Sequence, residues 1–174
     1  EDAGFGLIKV VDNGCGMNRT DLELCRHPHA TSKISSIADL ESAETLGFRG
    51  EALAAVAAVA NLEILSSIDG REGWMLRSKA SEAGVQNGRP AQLERSQRAR
   101  GTSVRVLGLF DSIPARKKFL KREASEALLC KQAFLDKAMT FPSILFRYFQ
   151  DGQMKFFLPP GNTYKDRFFD ILHT

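Results

Sequence analysis

The chain has 174 residues, 43% hydrophobic and 26% charged, an ordinary globular composition that supports one good core and a small appendage. Lys and Arg number 24 against 21 Asp and Glu, and the net charge of +3 permits contact with a polyanion without showing one. The longest apolar run, residues 52–60, falls short of the roughly 20 residues of a membrane span, and the three scattered cysteines encode neither a disulfide framework nor a structural zinc site.

The acidic start, Glu1 and Asp2, leads directly into a strand pattern, so no secretory signal is expected, and the lack of an initiator Met suggests a fragment. Free cysteines fit a reducing, intracellular setting. Residues 5–11, with Ile8, Val10 and Val11, read as a strand that runs into the turn signal Asp12-Asn13-Gly14-Cys15-Gly16. Residues 19–27 predict a short helix capped by Asn18 or Thr20, and residues 27–36 a polar loop. A helix over 37–44 follows, then Gly47, then an Ala- and Leu-rich helix over 51–60. Strands are predicted over 62–68, 74–80, 91–96 and 103–109, with Asp69-Gly70 and Asn87-Gly88 as turns. Pro114 suits the first turn of a long helix reaching about residue 139. Asp151-Gly152 marks a hairpin between 144–150 and 154–158, and residues 165–172 predict a last helix. The sum is α+β, antiparallel strands with helices over one face.

Two glycine-bounded turns carry chemistry. In Asp12-x-Gly14-x-Gly16 a carboxylate at a strand end can accept the amino proton of adenine, and glycines let a flat base lie against the backbone. The same residues also make a plain turn. Gly47-Phe48-Arg49-Gly50-Glu51-Ala52-Leu53 opens into a helix whose N–H groups and dipole favour an anion; the alternative is a connector. Between them Thr31, Ser32 and Lys33 lie in a loop able to fold over a phosphate chain, or simply solvated. Walker and dinucleotide glycine spacings are absent, and His27, His29 and His173 lack metal-ligand spacing. Arg95, Arg98, Arg100 and Arg105, and the group Arg116, Lys117, Lys118, Lys121 and Arg122, are candidates for DNA phosphates or for a solvated face.

Taken in order, Asp12-Asn13-Gly14-Cys15-Gly16-Met17, His29-Ala30-Thr31-Ser32-Lys33-Ile34, Leu46-Gly47-Phe48-Arg49-Gly50-Glu51-Ala52-Leu53, Gly101-Thr102 and Pro114-Ala115-Arg116-Lys117-Lys118-Phe119-Leu120 closely resemble the MutL mismatch repair proteins. These belong to the GHKL ATPases, with gyrase, histidine kinases and heat-shock chaperones. The Asp-x-Gly-x-Gly turn is common to that superfamily, whereas the last two long stretches are characteristic of MutL.

The resemblance implies a Bergerat-type helix and sheet sandwich over residues 1–140, incomplete at its N-terminus, and the start of a second, transducer domain over 141–174. It makes Asp12 the partner of the adenine amino group, with Gly14, Gly16 and Met17 beside the base and Thr102 behind it through a water. Thr31, Ser32 and Lys33 belong to an ATP lid, and Gly47, Phe48, Arg49, Gly50, Glu51, Ala52 and Leu53 hold the phosphates. It further implies magnesium, ATP-driven dimerisation with a like subunit, a MutS-type partner, DNA contact without sequence preference, no membrane, and a cytoplasmic site in bacteria or a nuclear one in eukaryotes. The catalytic Glu and the magnesium-binding Asn of this family lie in a Glu-x-x-x-Asn helix before the first strand, and nothing before Asp12 fits that pattern. Weak ATP binding and little hydrolysis are therefore expected of the chain alone. Two alternatives are another GHKL ATPase of gyrase type and a non-catalytic partner surface.

Overall fold

The computed structural model describes residues 1–27, 51–80 and 92–173, so the expected lid over 28–50, the helix expected at 37–44 and the loop around 86–90 lie outside the described residues. Two compact units result, Ile8–Lys117 and a second made of Glu1–Leu7 with Lys118–Thr174.

The first unit is built on strands β1 (Leu7–Val11), β2 (Asn61–Ser67), β3 (Gly73–Ser78), β4 (Gln92–Ser96) and β5 (Gly101–Leu107), in the sheet order β1-β5-β2-β3-β4. Pairing of β2 with β3 and β5, and of β3 with β4, is antiparallel. Alternation along these strands separates two faces. On one face Leu62 lies opposite Val106 and Ile64 opposite Val104, while across β3 Ile64 meets Leu76. Helices α1 (Arg19–Leu24) and α2 (Ala52–Ala57) cover this face, and Leu22, Ala57, Leu62, Ile64 and Leu76 form its buried core. Asn18 caps α1 as expected, its Oδ1 accepting the Asp21 N–H at 2.8 Å. On the other face Glu63 accepts from Arg105 at 2.6 Å and lies 3.6 Å from Arg77, which in turn donates to Glu94 at 2.7 Å. An alternating charge ladder thus marks the solvent side of four strands.

The long helix expected from Pro114 is divided. Helix α3 stops after Pro114–Lys117, and α4 (Glu123–Thr140) starts only after Arg122, which is extended with ψ 148°. A continuous helix would stack Lys117 on Lys121 and Lys118 on Arg122 at i,i+4 spacing, and like charges there are destabilising.

In the second unit α4, the hairpin of β6 (Phe146–Gln150) and β7 (Gln153–Leu158), and α5 (Tyr164–Leu172) assemble around aromatic rings. Phe134 meets Phe146, Tyr148 and Phe156 at centroid distances of 5.8, 4.9 and 6.4 Å. Asp151 and Gly152 both have positive φ, 50° and 76°, as a two-residue hairpin turn requires. Helix α5 carries a capping box between Thr163 and Asp166, and its fully buried Arg167 donates to the Pro142 carbonyl at 2.8 Å, with its guanidinium over the Phe146 ring. No helix among the described residues is long and apolar enough to cross a membrane.

Candidate functional site

Asp12 follows directly on β1, and its backbone exchanges hydrogen bonds with Thr102 of β5 at 2.9 and 3.3 Å. Its carboxylate bends back on the chain. Oδ1 accepts the Gly14 N–H at 2.9 Å and the Thr102 N–H at 3.1 Å, which fixes the group in one orientation. Oδ2 receives no hydrogen bond among the described residues, and Asp12 itself is exposed. The result is a pre-aimed acceptor at the mouth of a strand pair.

Glycine is required at two points around it. Gly16 has φ +72°, and a Cβ there would lie 2.1 Å from the Ser67 carbonyl oxygen at the end of β2. Gly101 has φ +120°, and a Cβ would lie 2.2 Å from the Asp12 carbonyl oxygen. Both backbones approach too closely for any side chain. The turn is closed further by Met17, whose N–H donates to Ser66 Oγ at 2.8 Å.

Ser66 is a residue that sequence reasoning missed. It is fully buried, opposite Thr102 on one side and Trp74 on the other, and its Oγ lies 3.0 Å from Thr102 Oγ1 and 3.2 Å from the Gly101 carbonyl. A usable signal was present: Leu62, Ile64 and Ser66 form one inward row, and a hydroxyl on such a row must find partners. Trp74, on the same face, has the Arg19 and Arg95 guanidinium carbons 5.0 and 5.5 Å from its ring centroid.

The arginines from Arg95 to Arg105, in β4, in β5 and in the turn between them, are engaged within the chain. Arg98 donates to the carbonyls of Leu65, Asp12 and Ala99, each at 3.0 Å, and so ties the Asp12 backbone to β2. Arg100 donates to the Gly14 carbonyl at 3.2 Å, Arg95 pairs with Glu72, and Arg105 pairs with Glu63. Their grouping in the sequence reflects structural partners before it reflects a polyanion.

Of the expected site residues, Asp12, Gly14, Gly16, Met17 and Thr102 are brought together. Thr31, Ser32, Lys33, Gly47, Phe48, Arg49 and Gly50 lie outside the described residues. Glu51 stands at the N-cap of α2, Ala52 is exposed, and Leu53 packs against the core. Arg116 and Lys117 end α3, Lys117 pairing with Asp111, while Lys118 and Lys121 belong to the second unit; all four are exposed. Beside this region burial pushes the Cys25 thiol up to about 11, partly offset by Arg26, while its Sγ donates to the Leu22 carbonyl at 3.1 Å. Cys15, in the Asp12 turn, is exposed.

No family model matches the chain. Individual relatives do. DNA mismatch repair protein MutL of Treponema pallidum is 45% identical over 177 residues, covering 94% of this chain and 27% of that protein. MutL of Chloroherpeton thalassium is 38% identical over 152 residues, covering 87% of this chain and 23% of that protein. The chain belongs to the MutL family. It spans about a quarter of the length of these MutL relatives. Among solved structures, the Aquifex aeolicus MutL ATPase domain complexed with ADP superposes with a TM-score of 0.71 at 24% identity, covering 97% of this chain and 57% of that one. The N-terminal domain of a DNA repair protein gives a TM-score of 0.74 at 23% identity, covering 98% and 48%. The mixed helix and antiparallel sheet is therefore the fold of MutL ATPase domains, the GHKL architecture expected from the sequence.

Proposed function

We propose that this MutL-family chain is an ATP-binding module of DNA mismatch repair and that Asp12 recognises the adenine amino group. The observation that carries the reading is the Asp12 carboxylate, with Oδ1 held by the Gly14 and Thr102 N–H groups and Oδ2 left to accept from a ligand. The buried hydroxyls of Ser66 and Thr102 beside it suit a hydrogen-bonding base, and the close backbone approaches at Gly16 and Gly101 hold the turn that presents the carboxylate. The ADP complex of an A. aeolicus relative with the same fold supports it.

Thr31, Ser32, Lys33 and the stretch from Gly47 to Leu53 complete the site from the phosphate side in this reading. Phosphate charge is to be met there by backbone N–H groups and by Lys33 and Arg49. No Glu-x-x-x-Asn pattern precedes Asp12, so this reading assigns neither a general base nor a magnesium ligand to these residues. Among the described residues no group of three His, Cys, Asp or Glu side chains converges on a metal position. In the whole protein ATP hydrolysis is slow and general-base catalysed. Nucleotide binding drives pairing with a like subunit. A MutS-type protein and DNA are the further partners, in the cytoplasm of a bacterium or the nucleus of a eukaryote. Residues 1–140 are assigned to nucleotide binding and 141–174 to the start of the transducer domain; the compact units divide earlier, after Lys117.

Calorimetry with ATP tests the adenine assignment. Asp12→Asn keeps an oxygen for the two N–H donors but turns an NH2 toward the ligand, and affinity is expected to fall about 10- to 100-fold. Equal affinity in the two proteins refutes the assignment. DNA contact is assigned to the exposed Arg116, Lys117, Lys118 and Lys121. Charge reversal at Lys117 and Lys121 is expected to weaken duplex binding and flatten its dependence on salt. An unchanged salt slope removes that assignment.

A further inference from the structure

We propose that Arg98 is a positioning residue: by holding the Asp12 carbonyl it leaves the Thr102 N–H to the Asp12 carboxylate, and so sets how strongly the site reads the amino group of the base. The proposal rests on the nucleotide reading above. Among the described strands β1 lies at one margin of the sheet, exposed from Ile8 to Val11, and Asp12 extends it by one residue. The Thr102 N–H that meets Asp12 is shared. Its nitrogen lies 3.3 Å from the Asp12 carbonyl oxygen and 3.1 Å from Asp12 Oδ1. One proton divided between two acceptors of the same residue holds neither as firmly as it would hold one.

The Asp12 carbonyl finds a firmer partner in Arg98, whose Nη2 donates to it at 3.0 Å with the added strength of a charged donor. Nη1 of the same guanidinium donates to the carbonyl of Leu65, in β2, and Nε to that of Ala99, both at 3.0 Å. In the sheet order β5 separates β1 from β2, so one planar fork joins segments that are not neighbours. β2 is paired on both sides, with Leu65 opposite Met75 and Ser103, and makes a fixed anchor. With its carbonyl held by Arg98, Asp12 competes less with its own side chain for the Thr102 proton. Oδ1 keeps both of its donors, Gly14 and Thr102, and Oδ2 keeps its aim. Loss of the fork returns the Thr102 proton to the carbonyl, leaves Oδ1 on Gly14 alone and lets the carboxylate turn. Lysine is no substitute, since one ammonium on a flexible stem lacks the fixed fork that spans the two segments.

The test compares ATP with purine riboside triphosphate, which lacks only the amino group, by calorimetry on the full chain. The ratio of the two Kd values reads the amino contact by itself. Arg98→Lys keeps the positive charge and loses the fork, and the preference for ATP is expected to fall at least about threefold. An Arg98 that acted only through its charge on the phosphates would leave both Kd values as they were in Arg98→Lys. One that only supported the fold would weaken both nucleotides alike. Either result leaves the ratio unchanged and overturns the proposal, while the nucleotide reading stands as long as Asp12→Asn lowers that ratio. In an Asp12→Asn background Arg98→Lys is expected to leave the ratio where the background sets it, because the effect runs through the carboxylate. A further fall there also overturns the proposal. If the unaltered chain binds no ATP, or Asp12→Asn keeps the full ratio, both readings fall. Should Arg98→Lys not fold, Arg98→Gln, which keeps an amide donor without the fork, is judged by the same ratio.

Discussion

At one end of the β2 and β5 pair Leu62 faces Val106 and Ile64 faces Val104; one step further along the same inward row Ser66 faces Thr102, next to the Asp12 turn. The helices α1 and α2 cover the first end, and its side chains interact through contact and exclusion of water. At the second end the antiparallel register continues, yet the side chains are tied by directed hydrogen bonds. The difference teaches that one strand pair can hold an apolar core at one end and a cluster of directed hydrogen bonds at the other, where Gly101 turns the backbone to φ +120°. It also implies that the two ends fail differently when altered.

Ile64→Ala makes the sharpest break between them. Ile64 is fully buried, and its truncation should cost about 2–5 kcal/mol in urea unfolding, while the protein that remains folded keeps its ATP affinity. Loss of affinity in the folded fraction would show that the two ends are not separable.

The next effect is a pH dependence confined to the apolar end. Cys25 packs against the core, with its thiol raised from 9.0 to about 11 chiefly by burial. A group whose folded value is raised contributes stability that is fully present below the unfolded value and lost as pH climbs through the folded one. Stability should therefore decline between pH 9 and 11, by up to about 2–3 kcal/mol, and Cys25→Ala should flatten that decline. An identical alkaline limb in the variant would contradict this origin.

The smallest effect belongs to the polar end. Asp12→Asn retains an Oδ1 for Gly14 and Thr102, so its unfolding free energy should change by less than about 1 kcal/mol despite the loss of nucleotide affinity. A large drop in stability would mean that the carboxylate holds the fold as well as the ligand.

The sequence reveals these regions unequally. A turn motif and a family pattern both single out Asp12, Gly14 and Gly16, the family pattern alone singles out Thr102, and the strands were legible from alternation. The structure places Gly101 and Thr102 inside β5, two residues earlier than the strand expected from residue 103. Ser66 was only partly legible: it continues the row of Leu62 and Ile64, but Ser66 and Ser67 look alike until the register shows which of them faces Thr102. The arginines from Arg95 to Arg105 resembled a basic strip because the carbonyls and carboxylates that hold Arg98 and Arg105 are distant in sequence. The division of the helix after Lys117 was hidden for a different reason: propensity favours continuation, and only the repeating positive charge argues against it.

Trp74 is the chain's only tryptophan, and the antiparallel register sets it directly across from Ser66. The protein thus carries its own optical indicator within one side chain of the proposed base contact. An indole flanked by two guanidinium groups senses small shifts in the charge and packing around it, so filling of the neighbouring site becomes visible in intrinsic emission, without a dye and without altering a residue.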